Sequence, residues 1–342
     1  MKYISLSTIN IDRNNGIDDN NQFFSLNRSW IYNYKRDDKN RGFILLKKKL
    51  FSNKIILNTS DIKTKKQNEI DIQYGDATKI INKNNFLLLP EHYLINPKNK
   101  IKKIKHDYKR IYCQFDRLID NKKIFKLNTP FSIKPVKDKE FFSRKYFSVM
   151  IASNKSCLLK SNKIMYQERF KTIKWFENNH PNEFFLFGKD WDLPNKENGM
   201  SGRIYNYINK FIKIKKNLRC HKGTIKNKFL ILKNTRFNFC YENVNEDGYI
   251  SDIIFDSFNN GCVPVYMGPN NINKYIPESC FVNVNNFKNH EDLFDYLKDF
   301  TIEDYNKIYQ NIIKYYKKGK FDKFSSEFIV KKLVRDIKKF IK

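Results

Sequence analysis

Long apolar runs are missing from this sequence. Stretches such as Phe43–Leu46 and Phe86–Leu89 stop after a few residues, far short of the roughly 18 that a bilayer-spanning helix needs. Met1–Asn10 has no apolar core ending in small residues, so no secretory signal is expected there. Cysteine pairing is missing too. Cys113, Cys157, Cys220, Cys240, Cys262 and Cys280 are irregularly spaced and form no C-x-x-C pair. That speaks against a secreted disulfide scaffold and for reduced thiols in a cytosol. Cys220 beside His221 has metal-ligand chemistry, but adjacent residues without a second pair are more often incidental than a structural zinc site. No metal is therefore expected. Alanine and glycine are scarce while Lys, Asn, Ile, Phe and Tyr abound, a bias that an AT-rich coding sequence imposes whatever the function. No internal repeat is present.

Acidic residues are the other shortage. The 342 residues hold 66 Lys and Arg against 36 Asp and Glu, a net charge of +30, with a mean hydropathy of −0.68. The basic residues spread along the whole length rather than gathering in one arm. Such charge speaks to solubility and non-specific attraction, so no specific nucleic acid is expected as partner. An anionic small molecule or an anionic membrane surface suits it as well. With 30 Phe and 20 Tyr the chain can bury real cores, and its length suggests two domains.

The pattern along the chain is alternating strand and helix. Strands are expected at Met1–Ile9, Lys54–Leu57, Phe86–Leu89 and Ile111–Phe115, and a helix over Asp38–Phe51 with Phe43, Leu46 and Leu50 on one face. Asp61–Ile80 has no clear period. Leu127–Arg144, with Pro130 and Pro135, reads as a linker. The pattern then restarts with strands at Tyr146–Ala152, Glu183–Phe187, Arg236–Glu242 and Val263–Met267, and helices at Met165–Asn178, Gly248–Asn259, Glu291–Phe300 and Thr301–Lys317. Two α/β units with parallel sheets follow: 1–130, a linker at 131–145, and 146–324. The segment 325–342 forms a separate basic amphipathic helix, with Ile329, Leu333, Ile337 and Phe340 along one side. Such a helix either lies on an anionic membrane or docks across the domains. Two such units imply a cleft, and ligands of open parallel sheets bind beyond the carboxyl ends of the strands. The residues standing there are Glu91, Ser153, Asn154, Gly188, Glu242, Asn243 and Gly268.

The most informative stretch is Arg236–Phe287. Its strand–turn–helix–strand design gathers Glu242, Asn243, Tyr249, Ser251 and Asp252 near a helix N-terminus, whose unpaired N–H groups suit a diphosphate. Its carboxylates can accept bonds from sugar hydroxyls or base N–H groups. Ser251 and Asp252 are equally ordinary residues for a helix start. Phe237, Tyr241, Glu242, Asn243, Tyr249, Ile250, Gly261, Val263, Pro264, Gly268, Pro269, Pro277 and Phe281 together resemble, without a gap, the donor-binding motif of the α-1,3-fucosyltransferases, glycosyltransferase family ten. The resemblance extends upstream through Lys222-Gly223, Phe187-Gly188 and Ile151–Glu177, and more weakly into Gly42–Ile62 and Phe86–Asn99.

That resemblance implies an α/β protein of the GT-B fold, two Rossmann-like parallel-sheet domains facing a central cleft, with the nucleotide-sugar donor in the C-terminal one. It implies transfer of L-fucose from GDP-fucose to a glycan hydroxyl with inversion. It implies no obligatory metal or other cofactor; a divalent cation would at most stimulate. Arg169, in Met165–Glu177, matches the Arg that neutralises donor phosphates; as a lone residue it is equally a solvated helix position. Asn243 and Tyr249 match donor-site positions. Ser251 and Asp252 replace the Thr and Glu of a T-E-K triplet. The Lys of that triplet is replaced by Ile253, which removes a contact worth on the order of 1.5–3 kcal/mol; Lys222 and Lys274 are candidates to replace it. Glu91 is the expected catalytic base and His92 its rival. The expected acceptor is a bacterial-type glycan such as a lipopolysaccharide precursor, and the expected location cytoplasmic, peripheral on the inner membrane face. Another nucleotide sugar as donor, or a weak or inactive binding relative, are the alternatives that Ile253 leaves.

Overall fold

The computed structural model describes residues 1–8, 21–24, 41–62, 68–75, 77, 84–138, 140–194, 196–212 and 217–341. Ile9, residues 38–40, Lys342 and parts of 61–80 therefore lie outside the described residues. The chain forms two compact units, 1–132 with 322–342, and 133–321.

The N-terminal unit is built on a six-stranded, all-parallel sheet. Its strands are β1 (Lys2–Thr8), β2 (Ile55–Thr59), β3 (Ile70–Tyr74), β4 (Asn85–Leu89), β5 (Arg110–Cys113) and β6 (Ile124–Lys126), in the order β2-β1-β3-β4-β5-β6. β4 is buried at every residue, as a continuous apolar run in a parallel sheet should be. Helix α1 (Arg41–Phe51) buries Phe43, Leu46 and Leu50, the face that their spacing marks. β3 alternates in character, the period of a strand, but over only five residues within a stretch that otherwise has no clear period. Ile70 and Ile72 are buried, while Asp71 bonds with Ser5 of β1.

In the C-terminal unit the sheet is five-stranded and also all-parallel. It comprises β7 (Tyr146–Ile151), β8 (Phe184–Phe187), β9 (Thr235–Tyr241), β10 (Val263–Met267) and β11 (Val282–Asn283), ordered β11-β10-β9-β7-β8. Helix α2 (Tyr166–Asn179) links β7 to β8. Helices α3 (Gly199–Ile212) and α4 (Lys228–Leu232) precede β9. The chain then forms α5 (Ile253–Asn259), α6 (His290–Lys298) and α7 (Ile302–Lys317). Residues 133–144, within the expected linker, belong to this unit. Arg144 is buried there, with Nε donating to Asp138 (2.6 Å), Nη1 to the Thr235 carbonyl (2.5 Å) and Nη2 to the Asn260 carbonyl (2.7 Å).

The basic segment at 325–342 is not a separate element. Helix α8 (Ser326–Lys338) belongs to the N-terminal unit, and its Ile329, Val330, Leu333 and Ile337 complete the core formed by β1–β4 and α1. Asp336, nearly without exposure, accepts from Tyr112 Oη (3.0 Å) and pairs with Arg110 (3.3 Å). The apolar stripe that suggested a membrane is spent on this core. Leu333→Ala should therefore destabilise the protein by about 2–5 kcal/mol in denaturant unfolding. The accompanying rise in hydrogen exchange should be seen at β1, β3 and β4 and not in β7–β10. Unchanged exchange at β1, β3 and β4 would sink this.

Candidate active site

In the C-terminal sheet the strand order reverses between β7 and β9. Such a switch point opens a crevice beyond the strand ends, where the connections depart to opposite faces. Here the strand ends are the turn at Ala152–Asn154 and the pair Glu242-Asn243. β8 ends nearby at Gly188, whose backbone, at φ +154°, lies so close to β7 that a Cβ would stand 1.7 Å from the Ala152 carbonyl oxygen. Glycine is required there.

Arg169 is not a solvated helix residue. It is buried on α2, and its Nη2 donates to the Tyr241 carbonyl (2.5 Å) and to Asn243 Oδ1 (2.9 Å). Asn243 Nδ2 in turn donates to the hydroxyl of buried Tyr249 (3.3 Å). These three matched residues thus form one chain of bonds at the end of β9. Beside it lies a small open pocket lined by Ser153, Asn154, Lys155, Arg169, Trp191 and Lys196, together with Tyr166, Gln167 and Phe170. Asn154 shapes it. Its Nδ2 donates to the carbonyls of Asp190 and Pro194, and its Oδ1 accepts from Lys196 N–H. No carboxylate is among the lining residues; of the three lining cations Lys196 pairs with Asp190 (2.5 Å), so Arg169 and Lys155 are the ones that favour an anion.

Glu242 plays a different part. It is buried at 1% exposure, where Oε1 accepts from Ser251 N–H (2.8 Å) and from Tyr266 Oη (3.1 Å). Burial pushes its carboxyl up to about 7, against the opposing pull of those bonds and of Arg169. The carboxyl joins β9, β10 and the 248–251 turn. Gly268, at the end of β10, makes room for it: a Cβ would stand 2.5 Å from Tyr266 Oη and 2.9 Å from Glu242 Cγ.

The helix expected over Gly248–Asn259 begins later, at Ile253. Gly248 has φ +82°, so 248–252 is a turn, and Tyr249 and Ser251 reach the site from it. Asp252 precedes the helix but its side chain caps nothing. Instead its Oδ2 pairs with Lys228 Nζ at 2.9 Å, and the same ammonium contacts Asp256. Lys228 is thus the cation beside the position that Ile253 occupies. Lys222 is directed elsewhere, donating to the Arg219 carbonyl (2.7 Å).

Glu91 stands in the N-terminal unit just beyond β4, and its Oε1 accepts from His92 N–H (3.3 Å). His92 is buried. Its Nδ1 accepts from Leu94 N–H (3.2 Å) and its ring meets Phe115 edge-on, the surroundings of a structural histidine. His221, paired with Cys220 in the sequence, bonds through Nε2 with the Gly188 carbonyl (3.0 Å). All six cysteines are buried and none is in a disulfide; burial raises Cys220 and Cys262 to about 12, so they stay protonated and unreactive. Among the described residues no group of three or more His, Cys, Asp or Glu is placed to hold a metal ion. Lys155, Lys196 and Lys228 were missed in the sequence. Only Lys155 carried a signal there, its place in the polar turn after β7.

Two units, each built on an all-parallel α/β sheet, define a protein of the GT-B fold. Residues 193–335 match the model of the C-terminal region of glycosyltransferase family 10, the fucosyltransferases. Over 74 residues it is 36% identical to the α-(1,3)-fucosyltransferase FucT of Helicobacter pylori, covering 22% of this chain and 16% of that protein. Over 111 residues it is 31% identical to the mouse 4-galactosyl-N-acetylglucosaminide 3-α-L-fucosyltransferase 9, covering 31% of this chain and 30% of the other. The chain thus spans less than a third of the length of these curated relatives. A solved α1,3-fucosyltransferase with GDP-fucose shares the fold, with a TM-score of 0.50, 15% identity, and coverage of 93% of this chain and 89% of the other.

Glu242 gives a pH test. A folded-state value of about 7 lies above the usual 4.5. Its carboxyl therefore contributes stability that is full below about pH 4.5 and lost as pH rises through 7. Glu242→Gln, neutral throughout, should escape that loss. Between about pH 5 and pH 8, the variant's unfolding free energy should gain on the wild type's by on the order of 2–3 kcal/mol. Parallel pH profiles would show that the carboxyl is not held in this way.

Proposed function

We propose that the chain is an inverting fucosyltransferase, moving L-fucose from GDP-fucose to a hydroxyl of a glycan acceptor of lipopolysaccharide or O-antigen type at the inner face of a membrane. The observation that carries the reading is the cationic pocket at the β7/β9 switch point, continuous through Arg169 with Asn243 and Tyr249. Charge that develops on the departing diphosphate is stabilised by fixed cations that need no reorganisation. Arg169 is the most rigid of them, Lys155 adds to it, and Lys196 is shared with Asp190. The solved relative with GDP-fucose supports the choice of donor.

In this reading the acceptor oxygen bonds to the anomeric carbon of fucose as Glu91 takes its proton. The bond from that carbon to the diphosphate oxygen breaks on the opposite face, its electron pair leaving with GDP, and the configuration inverts. Asn243, Tyr249 and Ser251 hold the donor, with the Asp252 carboxylate accepting from sugar hydroxyls. Glu242 contributes by holding the turn that presents them. Transfer from a different nucleotide sugar is the second reading. It is favoured by Ile253 and by Lys228, which already engages Asp252 and Asp256.

Calorimetric titration with GDP, GDP-fucose, GDP-mannose, UDP-glucose and UDP-galactose separates these readings. GDP-fucose should bind preferentially. Lys155→Ala, at an exposed position, should weaken binding with no change in melting temperature. Arg169→Ala should weaken it by roughly ten- to a hundredfold, the equivalent of one charged hydrogen bond. Preference for a uridine sugar moves the protein to the second reading, and absence of nucleotide binding rejects both. In a transfer assay Glu91→Gln should lose about a hundredfold or more in rate while GDP binding persists; an unimpaired rate would remove Glu91 as base.

A further inference from the structure

Helix α3 (Gly199–Ile212) is mounted inside out. At about 100° per residue, Met200, Ile204, Tyr207 and Ile208 share one side, and Gly202 and Asn206 the other. In a helix that serves a core, the apolar side faces inward. Here Gly202 and Asn206 do. A Cβ on Gly202 would stand 2.5 Å from the Glu197 carbonyl oxygen, so only glycine permits this approach. Asn206 Nδ2 donates to Ser156 Oγ (3.0 Å) and to the Glu197 carbonyl (3.0 Å), and its Oδ1 accepts from Glu197 N–H (3.0 Å). The apolar side is left in solvent: Met200 is 68% exposed, Ile204 64%, Tyr207 64% and Ile208 48%. The adjoining turn adds to it. Gly199 N–H donates to the Cys157 carbonyl (2.8 Å), and the next residues, Leu158 and Leu159, are also exposed.

The charge around this surface is mostly positive, with exposed Glu197 just before the helix as an exception. From Asn198 to Tyr241 the sequence contains no Asp or Glu, and between Arg203 and Arg219 it contains six basic residues. Arg203 is exposed beside the apolar stripe, and Lys155 and Lys160 flank the leucine turn in sequence. An apolar face set in a basic stretch of chain, with a tyrosine in it, matches the chemistry of an anionic bilayer interface, where apolar side chains enter the acyl boundary and cations meet the headgroups. An apolar protein partner would not require the basic excess, and a nucleic acid would not use the exposed aliphatics.

We infer that α3, with the Leu158-Leu159 turn, is the element by which this protein docks on an anionic membrane. The inference is independent of the donor reading; it rests on that reading only in suggesting that the acceptor is lipid-linked. The test is co-sedimentation of the full chain with vesicles of phosphatidylcholine alone and of phosphatidylcholine with phosphatidylglycerol, at low and raised salt. Binding is expected only to the anionic vesicles, weakened by salt. Ile204→Glu with Ile208→Glu should reduce it about tenfold or more, and Arg203→Gln about fivefold. Melting temperature and GDP titration should be unchanged in each variant. Met200→Ser with Ile204→Ser is the milder pair should the first disturb folding. Absence of wild-type binding to anionic vesicles at low salt would overturn the inference. So would full binding by both apolar variants, which would leave net charge alone as the cause. Self-association abolished by the same substitutions, without vesicle binding, would assign the face to a second copy of the chain. Loss of GDP binding in the wild type would reject the donor reading and leave the vesicle result standing.

Discussion

A carboxyl group removed from water holds the site together. Glu242 sits at the end of β9, bonded to the turn that follows through Ser251 N–H and to β10 through Tyr266 Oη. Burying it is costly, and its elevated proton affinity records that cost. The neighbouring residue, Asn243, turns to the opposite task and meets Arg169 from α2. Two adjacent residues on one strand thus fix the two sides of the crevice. One tethers the turn carrying Tyr249, Ser251 and Asp252, and the other tethers the helix carrying the buried cation. A shift in β9 would move both at once.

The cations of the C-terminal unit divide by partner rather than by number. Lys228 is held by two carboxylates, Asp252 and Asp256, so that cluster keeps a formal negative charge. Arg144 is saturated by Asp138 and by backbone carbonyls, and serves to close the fold around the start of β9. The pocket beside β7 differs in having no carboxylate in its lining, although its Lys196 is held by Asp190 (2.5 Å) and leaves Arg169 and Lys155 to set its charge. A net charge of +30 therefore says little by itself; where cations gather without acids is what selects a ligand.

Much of the fold was legible in the sequence. Buried parallel strands are continuous apolar runs, so β4, β8 and β10 stood out, and α1 and α2 showed their helical period. β3 did not, because Ile-Asp-Ile-Gln-Tyr matches no continuous run and its Asp71 is satisfied by Ser5, far away in sequence. Tyr249, Ile250, Ile254 and Phe258 mimic a helical stripe, yet Gly248 turns the chain and only the latter part is helix. The periodicity of α8 was plain, but its destination was not, since no local pattern says which core a stripe will join. α3 escaped notice because its polar and apolar sides have exchanged their usual places. Of the candidate site, Arg169, Glu242, Asn243 and Tyr249 were legible through a family pattern, and the structure brings them together. Lys196 and Lys228 were not, for each is one lysine among many until its partners are known.

The placement of α8 has a consequence for biosynthesis. Its Ile329, Val330, Leu333 and Ile337 belong to the same core as β1 and β4, while the whole of the C-terminal unit lies between them in the chain. Chains emerge from the ribosome amino end first, and domains generally fold as they appear. Here the first-made sheet must wait with one face covered only in part, by α1, until the second unit has been synthesised. The order of completion is thus the reverse of the order of translation. During that interval the nascent N-terminal strands are a natural client for chaperones that shield apolar surface.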